Sequence, residues 1–403
     1  MPGLRESRYS GSEKVFEQAC RIIPGGVNSS FRSAEPRLVI RRAEGARLTD
    51  ADGNEYIDYH AAFGPALLGH NHPAVRRRVA EALESRLLPG VGITELEIEL
   101  ARKIHQHLPS AERVLLCNSG SEATFHAIRV SRASTARKKI IKFQGCYHGF
   151  HDSVLCNLAN PALKTGSTAA GSAGILPEVL ENTVVCAFND LAGVERALET
   201  HRGQIAAIIV EPIAHNMGCV MPRPGFLEGL RQLATAHGAA LIFGKADLMD
   251  HFKTRPGGDT FYSGTFNGNA VGCAAVLATV ELLEREPVHE CVFRLGEKVR
   301  RGLRDIHERL GVRANVAGYG SVFLTYFLDG PLESYSDLLR NDAERFVEYR
   351  RRLIELGIFE MPSNLTRCHV SYSHTEADID RTLEAVEHVL KQMVGAPSRH
   401  KAS

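Results

Sequence analysis

Between about residue 75 and residue 245 the chain alternates short continuous apolar runs, "KKIIKFQG", "NTVVCAFN", "IAAIIVEP" and "AALIF", with segments of helical period such as "PGFLEGLRQLATAHG". A strand that is apolar at successive positions has no polar face to offer water, so it must be covered on both sides. Covered strands separated by helices are joined by crossover connections and run parallel. This stretch therefore predicts an α/β fold with a mainly parallel sheet and helices on both faces. "RVLLCNSG" reads as a further strand, and "HPAVRRRVAEALESRL" and "ELEIELARKIHQHL" read as helices. Pro224 near the start and Gly238 beyond the end bound the helix in "PGFLEGLRQLATAHG".

The flanks differ. Ser10 and Glu13 form an S-x-x-E capping box ahead of "EKVFEQACRII", a helix expected to stop at Pro24-Gly25-Gly26. "RLVIRRAEGARLTDADGNEYIDY" alternates apolar and polar residues about an Asp52-Gly53 turn and predicts an antiparallel meander. "DADGN" raises a calcium loop, but Ala61 stands where the bidentate glutamate should be, which disfavours calcium. Beyond the small-residue helix "GNAVGCAAVLATVELLERE" come charged helices, the strands "SVFLTYF" and "RCHVSYS", and a last helix, "EADIDRTLEAVEHVLKQMV". The expected organisation is an N-terminal helix and meander (1–70) packing with a small α+β domain (284–394), a large α/β domain (71–283), and a disordered tail (395–403).

Charge narrows the class of function. Lys and Arg number 48 against 47 Asp and Glu, so no global field draws in nucleic acid or an anionic membrane. No run of 18 apolar residues offers a membrane span, and "MPGLRESRYSGSEKVFEQ" has no signal-like apolar core, which predicts a cytoplasmic protein acting on small molecules. The nine cysteines are odd in number, scattered and never spaced C-x-x-C, and so read as reduced core residues.

Four motifs carry candidate chemistry. Ser119-Gly120-Ser121 lies between a strand and a helix whose buried stripe is expected to include Ala123, Ala127 and Val130. Helix-start N–H groups beside a glycine and a hydroxyl suit a phosphate, or form a simple cap. In "GCYHGFHD", Tyr147 and His148 follow a strand's carboxyl end, where open α/β sheets bind ligands. Tyr147 could stack on a planar cofactor. His148 and His151 have zinc-like spacing but no third ligand nearby, so no metal is expected. Glu211 ends the strand "IIVEP" as a cofactor-orienting or a capping carboxylate, and Thr265 in "SGTFNGN" sits in a phosphate-like loop or a tight turn.

The order and wording of these motifs resemble the class III aminotransferases, pyridoxal-phosphate enzymes of fold type I, and within them the glutamate-1-semialdehyde 2,1-aminomutase branch. The resemblance runs from "PGGVNSSFR" through "GHNHPAV", "GITELEIELA", "NSGSEA", "YHG", "VEPIAHNMG" and "SGTFNGN" to "SHTEADIDRTLEAVEHVL". It implies pyridoxal 5'-phosphate as cofactor, a small-molecule amino donor and acceptor, and a homodimer. By the same resemblance Gly120 and Ser121 hold the phosphate, Tyr147 stacks on the ring with His148 beside it, and Glu211 and Asn216 lie near the ring. Thr265 then reaches the phosphate bound by a partner subunit, and Arg32 helps to bind a substrate carboxylate; a solvated surface arginine is the plainer reading of Arg32.

Such chemistry needs a carboxylate on the pyridine nitrogen and a lysine that bonds the cofactor's aldehyde. In the family the carboxylate directly follows the strand that here reads "AALIF", and the lysine comes later in a Gly-Lys dipeptide. Here Phe243 is followed by Gly244-Lys245. The residues after Lys245, "ADLMDHFKTRPGGDTFYSG", are what the family carries beyond both groups. Lys245 is thus expected to be no substitute for the catalytic lysine. The resemblance implies that a few dozen residues and about two strands are missing between Phe243 and Gly244. Edges next to missing strands lose their pairing partners. The expectation is an impaired or inactive enzyme, with a noncatalytic, cofactor-binding or dimerising pseudoenzyme as the alternative.

Overall fold

A computed structural model describes residues 7–85, 88–158, 168–241 and 245–395. The chain divides into two compact units, one of Met1–His72, Glu286–Leu332 and Arg340–Ser403, the other of Pro73–Arg285 and Glu333–Leu339. The described strands in chain order are β1 (Ile40–Glu44), β2 (Arg47–Asp50), β3 (Glu55–Asp58), β4 (Lys139–Phe143), β5 (Thr183–Cys186), β6 (Ile205–Ile208), β7 (Ala240–Leu241), β8 (Asn315–Ala317), β9 (Val322–Tyr326), β10 (Ile358–Phe359) and β11 (Cys368–His369).

In the second unit four strands pair in the order β5-β4-β6-β7, every neighbour parallel. Successive side chains of a strand point to opposite faces, and β4 shows what covers each. Ile140 clusters with Ile128 of the helix Gly120–Thr135, with Val154, and with Ala207 and Ala240 of the neighbouring strands. Phe143 points the other way and stands edge-on to Phe226 of the helix Phe226–Ala236, ring centroids 5.8 Å apart. Both faces are therefore helix-covered, as the apolar runs require. Ile140, Ile141 and Phe143 have no exposed area; such burial contributes about 1.5–3 kcal/mol per side chain. A second core joins the helices Pro73–Ser85, Glu95–His107 and Ala270–Arg285 through Ala82, Leu96, Leu100, Ala274 and Leu277, with Leu116 packed against it.

"RVLLCNSG" departs from expectation. Val114–Cys117 belongs to no sheet of the described residues, although its side chains are partly buried as a strand's would be. The expected stripe of the following helix also shifts. Ile128, Val130 and Ser131 are its buried residues, whereas Ala127 is half-buried and Ala123 is exposed. The junction of Phe243 with Gly244 and the tail beyond 395 lie outside the described residues.

The first unit holds the predicted meander, with β1, β2 and β3 antiparallel and β10 added parallel to β3, and a second antiparallel sheet ordered β11-β9-β8. Its first helix, Ser10–Ile22, already includes Ser10, so the expected capping box does not form. Asp52 caps it instead, its carboxylate accepting the N–H groups of Gly11 and, at 2.9 Å, of Ser12. The neighbouring Asp50 accepts the N–H of Asn54 at 2.8 Å and the hydroxyl of Tyr56 at 2.7 Å. The carboxylates of "DADGN" thus serve the fold. Six of the nine cysteines are buried, but Cys20 is exposed. Among the described residues no helix is long and apolar enough to cross a membrane.

Candidate functional site

The helix Gly120–Thr135 starts where Ser119, in extended conformation, accepts the N–H of Glu122 on its hydroxyl at 3.2 Å. Glu122 reaches back to the N–H of Asn118 at 2.8 Å. The N–H groups of Gly120 and Ser121 lie between these two bonds, and a methyl group built on Gly120 would meet nothing within 4 Å. An open helix start with donors directed outward attracts an anion.

The loop after β4 is fastened onto this helix start. The hydroxyl of Ser121 accepts the N–H of Phe150 at 3.2 Å, and the hydroxyl of Thr124 donates to the carbonyl of His148 at 2.6 Å with Nε2 of His151 at 3.2 Å. Contact is so close that a Cβ on Gly149, at φ +107°, would sit 2.7 Å from Ser121 Oγ. A glycine is required there for both reasons.

Glu211, just after β6, ties the next loops together. One carboxylate oxygen accepts the N–H of Tyr147 at 2.7 Å; the other accepts those of His215 at 2.8 Å and Asn216 at 3.3 Å. Asn216 in turn donates its amide to the carbonyl of Gly145 at 3.3 Å. Glu211 therefore caps these loops, and this capping fixes the backbone at Tyr147, a residue that remains 40% exposed. His148 is buried, its Nε2 has no hydrogen-bond partner, and burial with help from Lys142 and His151 pushes its pKa down to about 3. It is neutral at physiological pH.

Thr265 is exposed in the turn that leads to the helix Ala270–Arg285. That turn is anchored two residues before Gly120, where the Asn118 amide donates to the side-chain oxygen of Asn267 at 2.9 Å. So the structure brings Gly120, Ser121, Tyr147, His148, Glu211 and Asn216 into one bonded network, with the Thr265 loop attached to its edge. Arg32 belongs to the other unit, exposed at the end of the short turn Ser30–Arg32. No group of three or more metal-binding side chains occurs among the described residues. Thr124, Asn118 and Gly149 went unseen in the sequence; the glycine directly after Tyr147-His148 was the one available signal.

A family model described as aminotransferase class-III matches residues 29–245, more than half of the chain. The chain belongs to the class III aminotransferase family. It is 38% identical to a glutamate-1-semialdehyde 2,1-aminomutase from Desulforudis audaxviator, over 94% of this chain and 97% of that protein. Its structure is similar to that of an omega-transaminase from Sphaerobacter thermophilus, with TM-score 0.87, 29% identity, and 95% and 98% of the two chains covered. A transaminase with pyridoxal phosphate bound superposes with TM-score 0.84 at 26% identity, covering 95% and 97%. The fold is accordingly the pyridoxal-phosphate-dependent fold type I.

Lys245 is exposed and precedes the short helix Ala246–Met249, whose first N–H is held by Glu112 at 2.8 Å. Lys142 on β4 has no exposed area, and its amine donates to the carbonyls of Val154, at 3.2 Å, and Cys156. Burial lowers its pKa. Its hydrogen bonds direct that amine into the 154–156 backbone.

Proposed function

We propose that this chain is an aminotransferase or 2,1-aminomutase scaffold that retains a pyridoxal-phosphate pocket but has lost the segment with the cofactor-bonding lysine and the pyridine carboxylate, leaving it impaired or inactive. The carrying observation is the placement of Lys245, exposed at the head of a helix fixed by Glu112. Two features of the comparisons support the reading. The family match ends at Lys245. The alignment with the Desulforudis relative runs over 426 positions, more than the 403 residues of the whole chain, so part of the relative faces no residue here.

The residues present fit one half of the cofactor. The open start of the helix Gly120–Thr135 suits the phosphate, held by the N–H groups of Gly120 and Ser121, and the half-exposed Tyr147 ring offers a stacking face. Glu211 and Asn216 hold the loops that position that ring. The other half lacks its residues, because Ile242-Phe243-Gly244 supplies no carboxylate after β7. When bound, pyridoxal phosphate supplies an electron sink for bonds at an amino-bearing carbon. Without a proton-shuttling lysine the chain has no group to use that sink.

The partner and substrate readings follow the family. The exposed Phe125, Phe150, Phe261 and Phe266 supply the apolar surface that a homodimer would cover, with Thr265 beside Phe266. Arg32, exposed and cationic, suits a substrate carboxylate. Cysteines joined by no disulfide accord with a reducing, cytoplasmic setting.

Adding pyridoxal phosphate to the purified chain, recording its absorbance, reducing with borohydride and mapping modified peptides tests the proposal. The expected result is saturable binding that survives no denaturation, with no pyridoxyl label on Lys245. A specific label on Lys245 overturns the loss of the lysine; no binding at all overturns the retained pocket.

A further inference from the structure

The cap of the helix Gly120–Thr135 departs from the form the chain uses at two other helices. At Glu95–His107 the Glu97 carboxylate returns to the N–H of the cap residue itself, Thr94, at 2.9 Å. Before the helix Glu376–Gly395, Asp378 returns to Thr375 in the same way, at 2.9 Å. Both are regular capping boxes, two reciprocal bonds between the cap and the third residue of the helix. At Gly120–Thr135 the first bond is present, Ser119 accepting the N–H of Glu122 at 3.2 Å. The Glu122 carboxylate, however, takes the N–H of Asn118 at 2.8 Å, one residue further out than the cap.

The Asn118 carboxamide holds it there. Its Nδ2 donates one hydrogen to the same Glu122 oxygen at 3.2 Å and the other to Oδ1 of Asn267 at 2.9 Å. Asn267 is fixed in turn, because its N–H donates to the carbonyl of Gly264 at 3.1 Å and its side chain packs so closely on Gly264 that a Cβ there would overlap it. The Tyr262 hydroxyl fastens the same loop to the carbonyl of Leu116. Main chain and side chain of Asn118 thus grip one carboxylate oxygen together. That grip has a purpose at this helix start. A carboxylate in the first turn of a helix is attracted to the N–H groups there, as any anion is. Glu122 sits in the turn whose Gly120 and Ser121 N–H groups are the proposed phosphate donors, and the space over Gly120 is open. Released, it would compete with a phosphate for those donors and repel it as a like charge.

We propose that Asn118 is a positioning residue for the cofactor phosphate: by binding Glu122 through main chain and side chain, it keeps that carboxylate off the helix start and reserves the Gly120 and Ser121 N–H groups for the phosphate. The proposal rests on the reading that this chain retains a pyridoxal-phosphate pocket. Asn118 acts through the charge of Glu122, and its effect is confined to the phosphate end of the ligand. Two consequences distinguish it from a residue that merely supports the fold. Ligands that differ only in the phosphate respond differently to its loss, and removing the Glu122 charge makes Asn118 dispensable.

The test titrates the full chain with pyridoxal phosphate and with pyridoxal, which lacks the phosphate, in the wild type, in Asn118→Ala, and in Asn118→Ala combined with Glu122→Gln. Asn118→Ala should weaken pyridoxal phosphate about tenfold, the order expected of a like charge brought near it, and leave pyridoxal within about twofold. Adding Glu122→Gln should bring pyridoxal-phosphate affinity back to within about threefold of the wild type, the coupling a double-mutant cycle reads. A fall of both ligands together overturns the proposal, since a damaged cap has no reason to single out the phosphate. Unchanged affinity in Asn118→Ala overturns it as well, and so does a double variant that fails to recover. Inorganic phosphate, followed through the amide resonances of Gly120 and Ser121, separates this proposal from the reading it rests on. In the wild type phosphate should move both resonances, and Asn118→Ala should need about tenfold more phosphate for the same movement. Phosphate that moves them in a wild type unable to bind pyridoxal phosphate defeats the retained pocket and leaves the role of Asn118 standing. Phosphate that leaves both unmoved in the wild type overturns that role.

Discussion

The carboxylate of Glu211 accepts the backbone N–H of Tyr147 at 2.7 Å, joining the loop after β6 to the loop after β4. Its second oxygen holds His215 and Asn216. One side chain thereby fixes the position of an aromatic face without touching the ring.

Glu211→Ala should strand the N–H groups of Tyr147, His215 and Asn216 and lower stability by roughly 2 kcal/mol, the range for bonds to a charged acceptor. Because Tyr147 loses its anchor, pyridoxal-phosphate affinity should fall at least tenfold. Urea denaturation and a fluorescence titration check the two effects. Unchanged affinity would show that the Tyr147 loop keeps its place unaided.

Gly149→Ala asks a methyl group to sit 2.7 Å from Ser121 Oγ at a φ of +107°. Strain of this kind costs roughly 1–3 kcal/mol, and relief is available only by lifting the loop off the helix start. Cofactor binding should weaken along with the thermal midpoint. Gly53→Ala, at φ +82° in the β2–β3 turn but with nothing within 4 Å, should lower the midpoint and leave binding untouched.

Asp52→Ala should destabilise the chain by about 1 kcal/mol, as the loss of a helix cap does. Burial acts to raise the carboxyl's pKa, but bonds from Gly11 and Ser12 outweigh it and hold it below the usual range. A depressed carboxylate contributes stability above its unfolded pKa and loses it as pH falls through the folded one. The wild type should therefore shed this contribution below about pH 4, and the variant should have none to shed. Calcium should leave both midpoints unmoved.

These carboxylates also show what the sequence could and could not convey. The apolar runs of β4, β5 and β6 disclosed a doubly covered parallel sheet because strand periodicity is a local property. Ser10 and Glu13 satisfied the local pattern of a cap, yet a residue 40 positions away made the cap, since hydrogen bonds to Ser12 are decided by tertiary approach. Val114–Cys117 looked like a strand for the same local reasons, and whether it pairs depends on a neighbour elsewhere in the chain. At the site, the residue types of Gly120, Tyr147 and Glu211 were legible. The bonds from Thr124 and Asn118 that assemble them were not, because neither residue type is distinctive at its position.

Acid should destabilise the fold through its buried histidines. Burial pushes His148 down to about 3 and His60, His151, His307 and His374 down to about 4. A histidine lowered in this way is neutral when folded and protonated when unfolded, so the unfolded state binds more protons between roughly pH 6.5 and 4. Stability falls as pH drops through that window. Urea midpoints at pH 7.5, 6 and 5 should decline in order, with a shallower decline in His374→Gln; equal midpoints would contradict neutral burial.

Lys245→Ala is the variant that separates a class III enzyme from a class III scaffold. In an active member, removing the lysine that bonds the cofactor abolishes the covalent adduct and weakens retention together. Here Lys245 is exposed and its amine forms no hydrogen bond or ion pair among the described residues, its carbonyl accepting the N–H of Met249, while the helix it precedes is held through Ala246 and Glu112. The substitution should leave pyridoxal-phosphate affinity within about twofold, a difference of roughly 0.4 kcal/mol, and leave the borohydride-treated spectrum unchanged. Lys142→Met provides the contrast, because it strands the buried carbonyls of Val154 and Cys156 and should lower stability by roughly 1–3 kcal/mol. A tenfold loss of affinity in Lys245→Ala with stability intact would return that lysine to the cofactor.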